Sequence, residues 1–225
     1  MLLRNGTEIT VKDGDTVRKG QTIAEVTGRL STILTGERVA LNFLQRLSGI
    51  ATLTSAFVKK TEKTGVTILD TRKTTPCLRP FERYAVRAGG GRNHRFGLFD
   101  SVLIKDNHIE AAGGVAIAVS RARAGVPAGS LIEVEVTDQR ELKEALAAGA
   151  DIIMLDNMSV ERIRKAVKLI AKGALTEASG SMSLGNVGAV ARTGVDFISV
   201  GALTHSARSV DISMKVVGHG AKRGR

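Results

Sequence analysis

LIEVEVTDQRELKEALAAGADIIMLD (131–156) carries the fold in miniature: two β-rich apolar runs, LIEVEV (131–136) and DIIML (151–155), flank a segment of helical composition. Asp138 followed three residues later by Glu141 signals a helix start, and Gly149 marks the end of that helix. A strand, a crossover helix and a second strand make a parallel unit. The same alternation extends in both directions, through VTILD (66–70) and SVLIK (101–105) before this stretch and ALTEA (174–178) and DFISV (196–200) after it. The C-terminal ends of the six runs carry Asp70, Lys105, Glu135, Asp156, Ser179 and Gly201. Functional groups collected at one end of parallel strands predict an α/β class protein with a TIM-like barrel, complete or incomplete, the alternative being a doubly wound open sheet.

Upstream, ITVKDGDTVRKGQTIAEVT (9–27) alternates apolar and polar residues around DG and KG turns, which predicts short antiparallel strands. Its GD-V-x-x-G-Q pattern is shared with biotinyl and lipoyl carrier half-barrels, but no lysine sits at a hairpin tip, so a carrier role is not expected. From Glu37 to about Lys63, Val39, Leu41, Phe43, Leu44, Leu47, Ile50 and Leu53 recur mostly three and four apart, predicting a long helix with a break near Gly49. Glycines 89–91 interrupt the alternation after Tyr84 and Val86 and predict a loop.

Composition agrees with repeated strand–turn–helix units: 43% of the 225 residues are hydrophobic, 25 are Gly and only 3% are aromatic. That length suits one main domain and a fragment of another. A single cysteine, Cys77, excludes an intrachain disulfide, and no run has the length of a signal peptide core or a membrane span. A soluble cytoplasmic protein is expected.

The net charge of +11 calls for anionic partners. Lys59, Lys60, Lys63 and the tail cations Lys222, Arg223 and Arg225 read as solvated surface, the tail as disordered. Arg38, Arg72, Lys73, Arg79, Arg92, Arg95 and Lys105 instead sit beside turns and strand ends, with no aromatic residues interleaved as base-stacking platforms. That distribution favours a small anionic ligand over nucleic acid.

DTRKTTP (70–76) and GGGRNHRFG (89–97) concentrate Arg72, Lys73, His94 and Arg95 in loops where barrel enzymes bind substrate. An arginine fork can hold a carboxylate or phosphate through two charge-assisted bonds; the plainer reading is a set of ordinary surface cations. Lys105 ends its strand, where it can project into the barrel mouth, and Asn107 can cap the following helix. Glu133 and Glu135, two apart on one strand, face the same side, and Asp156 ends the next strand. Such carboxylates suit magnesium and sugar hydroxyls, or serve as salt-bridge partners for the cations. EASGSMS (177–183) and SVGALTHS (199–206) read as turns leading into helix starts, so Ser179, Gly180 and Gly201 are candidate phosphate contacts.

GERVALNFLQRLSGIAT (36–52), LDTRKTTPCLRPFERYAVRAGGGRNHRFGLFDSVLIKDNHI (69–109), IEVEV, IIMLDNMS (152–159), EASG and GVDFISVGALTHS (194–206) together resemble the quinolinate phosphoribosyltransferase family. The resemblance implies a partial N-terminal α/β sandwich domain (1–40), an α/β barrel (41–208) and a return segment with a basic tail (209–225). It implies conversion of quinolinate and phosphoribosyl pyrophosphate to nicotinate mononucleotide, CO2 and pyrophosphate, with Mg2+ and no organic cofactor, in a homodimer with shared active sites and no nucleic-acid or membrane partner. Under it Arg72, Lys73, His94, Arg95 and Lys105 bind quinolinate, joined by Arg38 from the neighbouring subunit. Lys73, Lys105, Glu135 and Asp156 act in catalysis, Glu135 and Asp156 meet the metal, and Ser179, Gly180 and Gly201 anchor the phosphate. Cys77 stands where TTPGLR is common and Ser181 where SGG is common. The first departure is expected to matter little, the second to narrow the phosphate turn if that position needs positive φ. Family members begin with helices and strands ahead of NGTEITVKDGDTV, which makes an inactive fragment one alternative. Others are a same-fold relative with another substrate, ModD-like or nicotinate-type, and a nucleic-acid-binding protein.

Overall fold

A computed structural model describes residues 6–217; the tail cations lie outside them. In chain order the elements are β1 (Thr7–Ile9), β2 (Ala24–Val26), α1 (Leu30–Thr61), β3 (Thr67–Leu69), α2 (Arg79–Ala88), β4 (Val102–Ile104), α3 (Asp106–Ala112), α4 (Val115–Gly125), β5 (Ile132–Val136), α5 (Gln139–Ala147), β6 (Ile152–Asp156), α6 (Val160–Ile170), β7 (Leu175–Ser179), α7 (Val187–Ala191), β8 (Phe197–Ser199) and α8 (Ala202–His205). The chain forms two compact units, one reaching Gly49 and resuming at Arg208, the other Ile50–Ala207.

In the first unit β1 and β2 pair antiparallel, Thr7 opposite Val26, as the DG and KG turns imply. Helix α1 begins earlier than the periodicity suggests and does not break at Gly49. The glycine serves close approach instead: a Cβ there would lie 2.0 Å from the Arg208 carbonyl oxygen. The returning chain is fixed along the same stretch, with the Val210 N–H donating to the Gln45 carbonyl (3.0 Å) and Gln45 Nε2 to the Ile212 carbonyl (2.7 Å).

In the second unit all six expected strands form one parallel sheet in the order β3-β8-β7-β6-β5-β4. Except at the β3/β4 seam this is the cyclic order of a barrel. On its free side β3 pairs in parallel with Arg92, whose N–H donates to Ile68 O (2.8 Å) and whose carbonyl accepts from Asp70 N (3.1 Å). A one-residue strand therefore flanks the free side of β3, and six parallel strands with this bridge make a TIM-like α/β barrel with fewer than eight strands among the described residues.

Successive strand residues point to opposite faces. Ile132, Val134, Val136, Ile153, Leu155, Ala178 and Ile198 are completely buried on one face, while Glu133, Glu135, Glu177, Ser179 and Ser199 alternate with them on the other. The apolar set packs under the helices and the polar set lines the interior. Helix α5 starts as read: Asp138 accepts from the Glu141 N–H (2.8 Å), the Glu141 carboxylate accepts from the Thr137 N–H (2.9 Å), and Gly149 takes φ +76° after the last turn.

Tyr84 and Val86 lie on α2, not on an alternating strand, and the glycines that follow are set by crowding. A Cβ at Gly89 would sit 2.4 Å from the Ala51 carbonyl oxygen, and one at Gly91 2.8 Å from Thr54 Cγ2. Gly89→Ala should therefore cost about 1–3 kcal/mol through overpacking against α1. Gly125→Ala, at the end of α4 with open space around it, should instead be neutral or gain about 0.5–1 kcal/mol. Urea unfolding of the two variants checks the contrast.

Candidate active site

The cationic loops are built on one buried acid. Asp70 follows β3 and is completely buried; its Oδ1 accepts from the His94 N–H (2.7 Å) and its Oδ2 from Asn93 Nδ2 (2.6 Å). Burial pushes the Asp70 carboxyl above its ordinary pKa, against the opposing pull of those two bonds. Arg83 and Arg87 of α2 hold the same loop, Arg83 donating to the His94 carbonyl (2.6 Å) and Arg87 to Asn93 Oδ1 (2.6 Å). Arg79 ties this loop to the loop after β3 by donating to Thr74 Oγ1 (2.9 Å), the Phe96 carbonyl (3.0 Å) and the Arg72 carbonyl (3.2 Å). The buried Glu82 accepts from the N–H and hydroxyl of Thr75 at 3.0 and 2.8 Å.

Arg72 and Lys73 are exposed on this frame, and among the described residues their side chains have no carboxylate partner. Arg95 is half-buried, donates to the Ser101 carbonyl (3.1 Å), and has its pKa lowered by burial and by the charge of Arg72. Two like charges held this close favour an anion between them. Lys105, at the end of β4, pairs with Glu135 of β5. Asp156 and Ser179 are register partners at the ends of β6 and β7, and Asp156 accepts from Asn157 Nδ2 (2.8 Å). Gly180 takes φ +93°, and a Cβ there would lie 2.1 Å from Asn157 Oδ1. Lys73 reaches the last turn: its Cδ is 3.2 Å from where a Cβ on Gly201 would be, and its carbonyl accepts from Thr204 Oγ1 (2.8 Å).

One end of the barrel thus brings together Arg72, Lys73, His94, Arg95, Lys105, Glu135, Asp156, Ser179, Gly180 and Gly201. Arg38 is exposed on α1 within the first compact unit. Two local readings are corrected. Lys105, not Asn107, occupies the cap position of α3, and His108 Nδ1 accepts its N–H (3.0 Å), because Asn107 already lies inside the first turn. The turn after β7 does not open directly into a helix, since α7 starts only at Val187, after Asn186 Oδ1 has accepted the Ser183 N–H (2.8 Å).

Glu82, Arg83, Asn93 and Asn157 were not singled out by sequence as site-builders, and Asp70 was read as a functional group at a strand end but not as the acid that holds the His94 loop. A signal existed for Asn157, an Asn beside Asp after IIML.

A parallel barrel that gathers cations and carboxylates at the C-terminal ends of its strands defines a barrel-type enzyme with an anion site. The quinolinate phosphoribosyl transferase C-terminal domain matches residues 50–215 and the N-terminal domain of the same family matches residues 1–48. The chain belongs to the quinolinate phosphoribosyltransferase family. It is 52% identical over 205 residues to the Bacillus subtilis "Probable nicotinate-nucleotide pyrophosphorylase [carboxylating]", covering 91% of this chain and 71% of that one. It is 46% identical to the chloroplastic nicotinate-nucleotide pyrophosphorylase [carboxylating] of Arabidopsis thaliana, covering 91% of this chain and 64% of the relative. The crystal structure of NadC from Streptococcus pyogenes superposes with a TM-score of 0.90 at 48% identity, covering 93% of this chain and 74% of that one.

Both departures from the family pattern fall at left-handed positions, Cys77 at φ +64° and Ser181 at φ +45°. The expectation that Cys77 is inconsequential is therefore overturned: its Cβ meets the clash that glycine avoids, while Ser181 meets the condition under which its turn is strained. Cys77→Gly should stabilise the protein by about 1 kcal/mol, and Cys77→Ser should not. Equal gains from both variants in thermal unfolding would assign the effect to the thiol.

Proposed function

We propose that this chain transfers the phosphoribosyl group of phosphoribosyl pyrophosphate to quinolinate and decarboxylates the adduct, giving nicotinate mononucleotide, CO2 and pyrophosphate for NAD biosynthesis. The observation that carries the reading is the pair of exposed cations Arg72 and Lys73, without a carboxylate partner among the described residues, near the half-buried Arg95 at the mouth of a barrel whose opposite rim presents acids. Quinolinate has two adjacent carboxylates. Arg72, Arg95 and Lys105, with His94 behind them, supply several donors for those groups. They orient the ring nitrogen toward ribose C1, and positioning of this kind replaces covalent catalysis. Ser179, Gly180 and Gly201 suit the 5-phosphate, because they lie in the turns after β7 and β8 and Lys73 lies over Gly201.

As the C1–pyrophosphate bond breaks, positive charge develops on the ribosyl carbon, and the carboxylates of Glu135 and Asp156 stabilise it. Lys105 pairs with Glu135 and orients it for that role, and Lys73 stabilises the departing pyrophosphate. Oxygen donors at the ends of adjacent strands fit Mg2+, which Glu135 and Asp156 would hold directly or through water; when bound it neutralises diphosphate charge. The new pyridinium ring accepts the electron pair left by departing CO2, and a proton from solvent then replaces the lost carboxyl group, so no organic cofactor is required. The family resemblance, together with Arg38 exposed on α1, supports a cytoplasmic homodimer in which Arg38 serves the neighbouring subunit's site. Among the described residues no helix is long and apolar enough to cross a membrane.

The reading is tested by release of labelled CO2 from quinolinate. Release should require phosphoribosyl pyrophosphate and Mg2+, and nicotinate should not yield the mononucleotide. Arg95→Ala should lower kcat/KM about 10- to 100-fold, the equivalent of one or two lost charge-assisted bonds. Release without phosphoribosyl pyrophosphate, or equal use of nicotinate, would overturn the assignment.

A further inference from the structure

The barrel interior holds two acids for which the proposed chemistry has no use. Glu133 on β5 and Glu177 on β7 are 2% and 1% exposed. Each directs Oε2 at His94 Nε2, at 3.2 and 3.5 Å, and among the described residues Oε1 of each is buried without a donor. Burying a carboxylate is costly, and a well-packed apolar substitute for a buried ion pair is often neutral or stabilising. Stability therefore gives no reason for two such groups to lie side by side, and what they grip does.

His94 is held at every polar atom. Asp70 accepts from its N–H (2.7 Å), Arg83 donates to its carbonyl (2.6 Å), and the Arg95 N–H donates to its Nδ1 (2.7 Å). Because Nδ1 accepts, the network places a proton on Nε2, where it points at the two carboxylates. Burial lowers the imidazole pKa, but the bonds and charge of the two carboxylates outweigh it, raise that pKa to about 10 and hold the proton. This tautomer also argues against a metal among the three groups, since a ligating Nε2 needs its lone pair and leaves Nδ1 to donate. The imidazole is thus a strut, braced below by the glutamates and bonded above to the backbone of Arg95.

We infer that Glu133 and Glu177 are positioning residues which, through His94, fix the backbone of Arg95 and so the direction in which its guanidinium meets the ligand. The inference rests on the proposed function only for the identity of that ligand. Glu177→Gln is the informative variant: its amide still accepts from His94 and can donate to the orphaned Glu133 Oε1, so the fold is not weakened, but the grip on the imidazole loses its charge. Quinolinate KM should rise about tenfold while the KM for phosphoribosyl pyrophosphate and the melting temperature stay within error. Glu133→Gln should behave alike. In a His94→Ala background Glu177→Gln should add nothing, because residues acting through one another are not additive. A fall in melting temperature with unchanged quinolinate KM, or additive losses in the double variant, overturns the proposal. A readout free of turnover is the 15N spectrum of the full chain. Wild type should show His94 as the Nε2–H tautomer, and Glu177→Gln should shift the Arg95 amide. If wild type binds no quinolinate, the functional reading fails, and an unmoved Arg95 amide would then overturn the positioning role separately.

Discussion

Asp70 accepts the His94 N–H and the Asn93 side chain from a position with no solvent exposure, and the loop that carries His94 and Arg95 is arranged around that acid. Each accepted bond replaces hydration that the carboxylate lost on burial, so the loop cannot leave without exposing an unpaired charge to the core. Arg83, at 3.9 Å, adds charge compensation while its bond to the His94 carbonyl closes the loop from outside. Residues 93–95 consequently behave as part of β3 rather than as a free loop. Arg79 and Glu82 extend the same order to Thr74 and Thr75, which places Arg72 and Lys73 on a fixed base. Their rigidity owes nothing to a partner for their own charges, and this leaves those charges available.

The two faces of each strand divide the work. Stability comes from the outward set, in which Ile132, Val134, Val136, Ile153 and Leu155 are sealed under helices, each burial of that kind contributing roughly 1.5–3 kcal/mol. A TIM barrel interior is usually filled with branched apolar side chains. Here it carries Glu133, Glu135, Glu177 and Ser199, and three of its buried polar atoms have no hydrogen-bond partner among the described residues. Only a domain with a secure outer layer can carry so many inward acids. Their placement below the cations, rather than among them, keeps the mouth positive while giving its floor oriented acceptors.

How far the sequence disclosed this structure depends on the scale of the physics involved. Strands such as IEVEV and IIMLD declare themselves because alternation and apolar content are local, and the Asp138–Glu141 start declares itself because a cap needs only four consecutive residues. Gly49 misled because a glycine within a helix can mean either a break or a close approach, and the carbonyl that decides between them belongs to Arg208, far away in the chain. The roles of Asp70, Arg83 and Asn93 were invisible for the same reason: each is defined by a partner on another element. Cys77 was misjudged because φ at a single loop residue is imposed by the ends of the loop and not by its neighbours in sequence. The loop cations, by contrast, were legible, since unpaired basic residues beside turns already imply an anion.

The electrostatics of the mouth give the site a direction of response. Burial and the neighbouring charge of Arg72 both disfavour the charged form of Arg95, against the opposing pull of Glu133 and Asp100. The His94 N–H bonded to Asp70, the Arg95 guanidinium bonded to the Ser101 carbonyl and Arg79 bonded to the Phe96 carbonyl keep this loop in place. On the proposed function, an arriving dicarboxylate would meet cations already placed by the loops, and less of its binding free energy would be spent on ordering side chains. A monocarboxylate would neutralise less of the cluster and leave Arg72 or Arg95 facing its neighbour. On that reading, discrimination between one carboxylate and two would follow from the number of cations that the two loops hold.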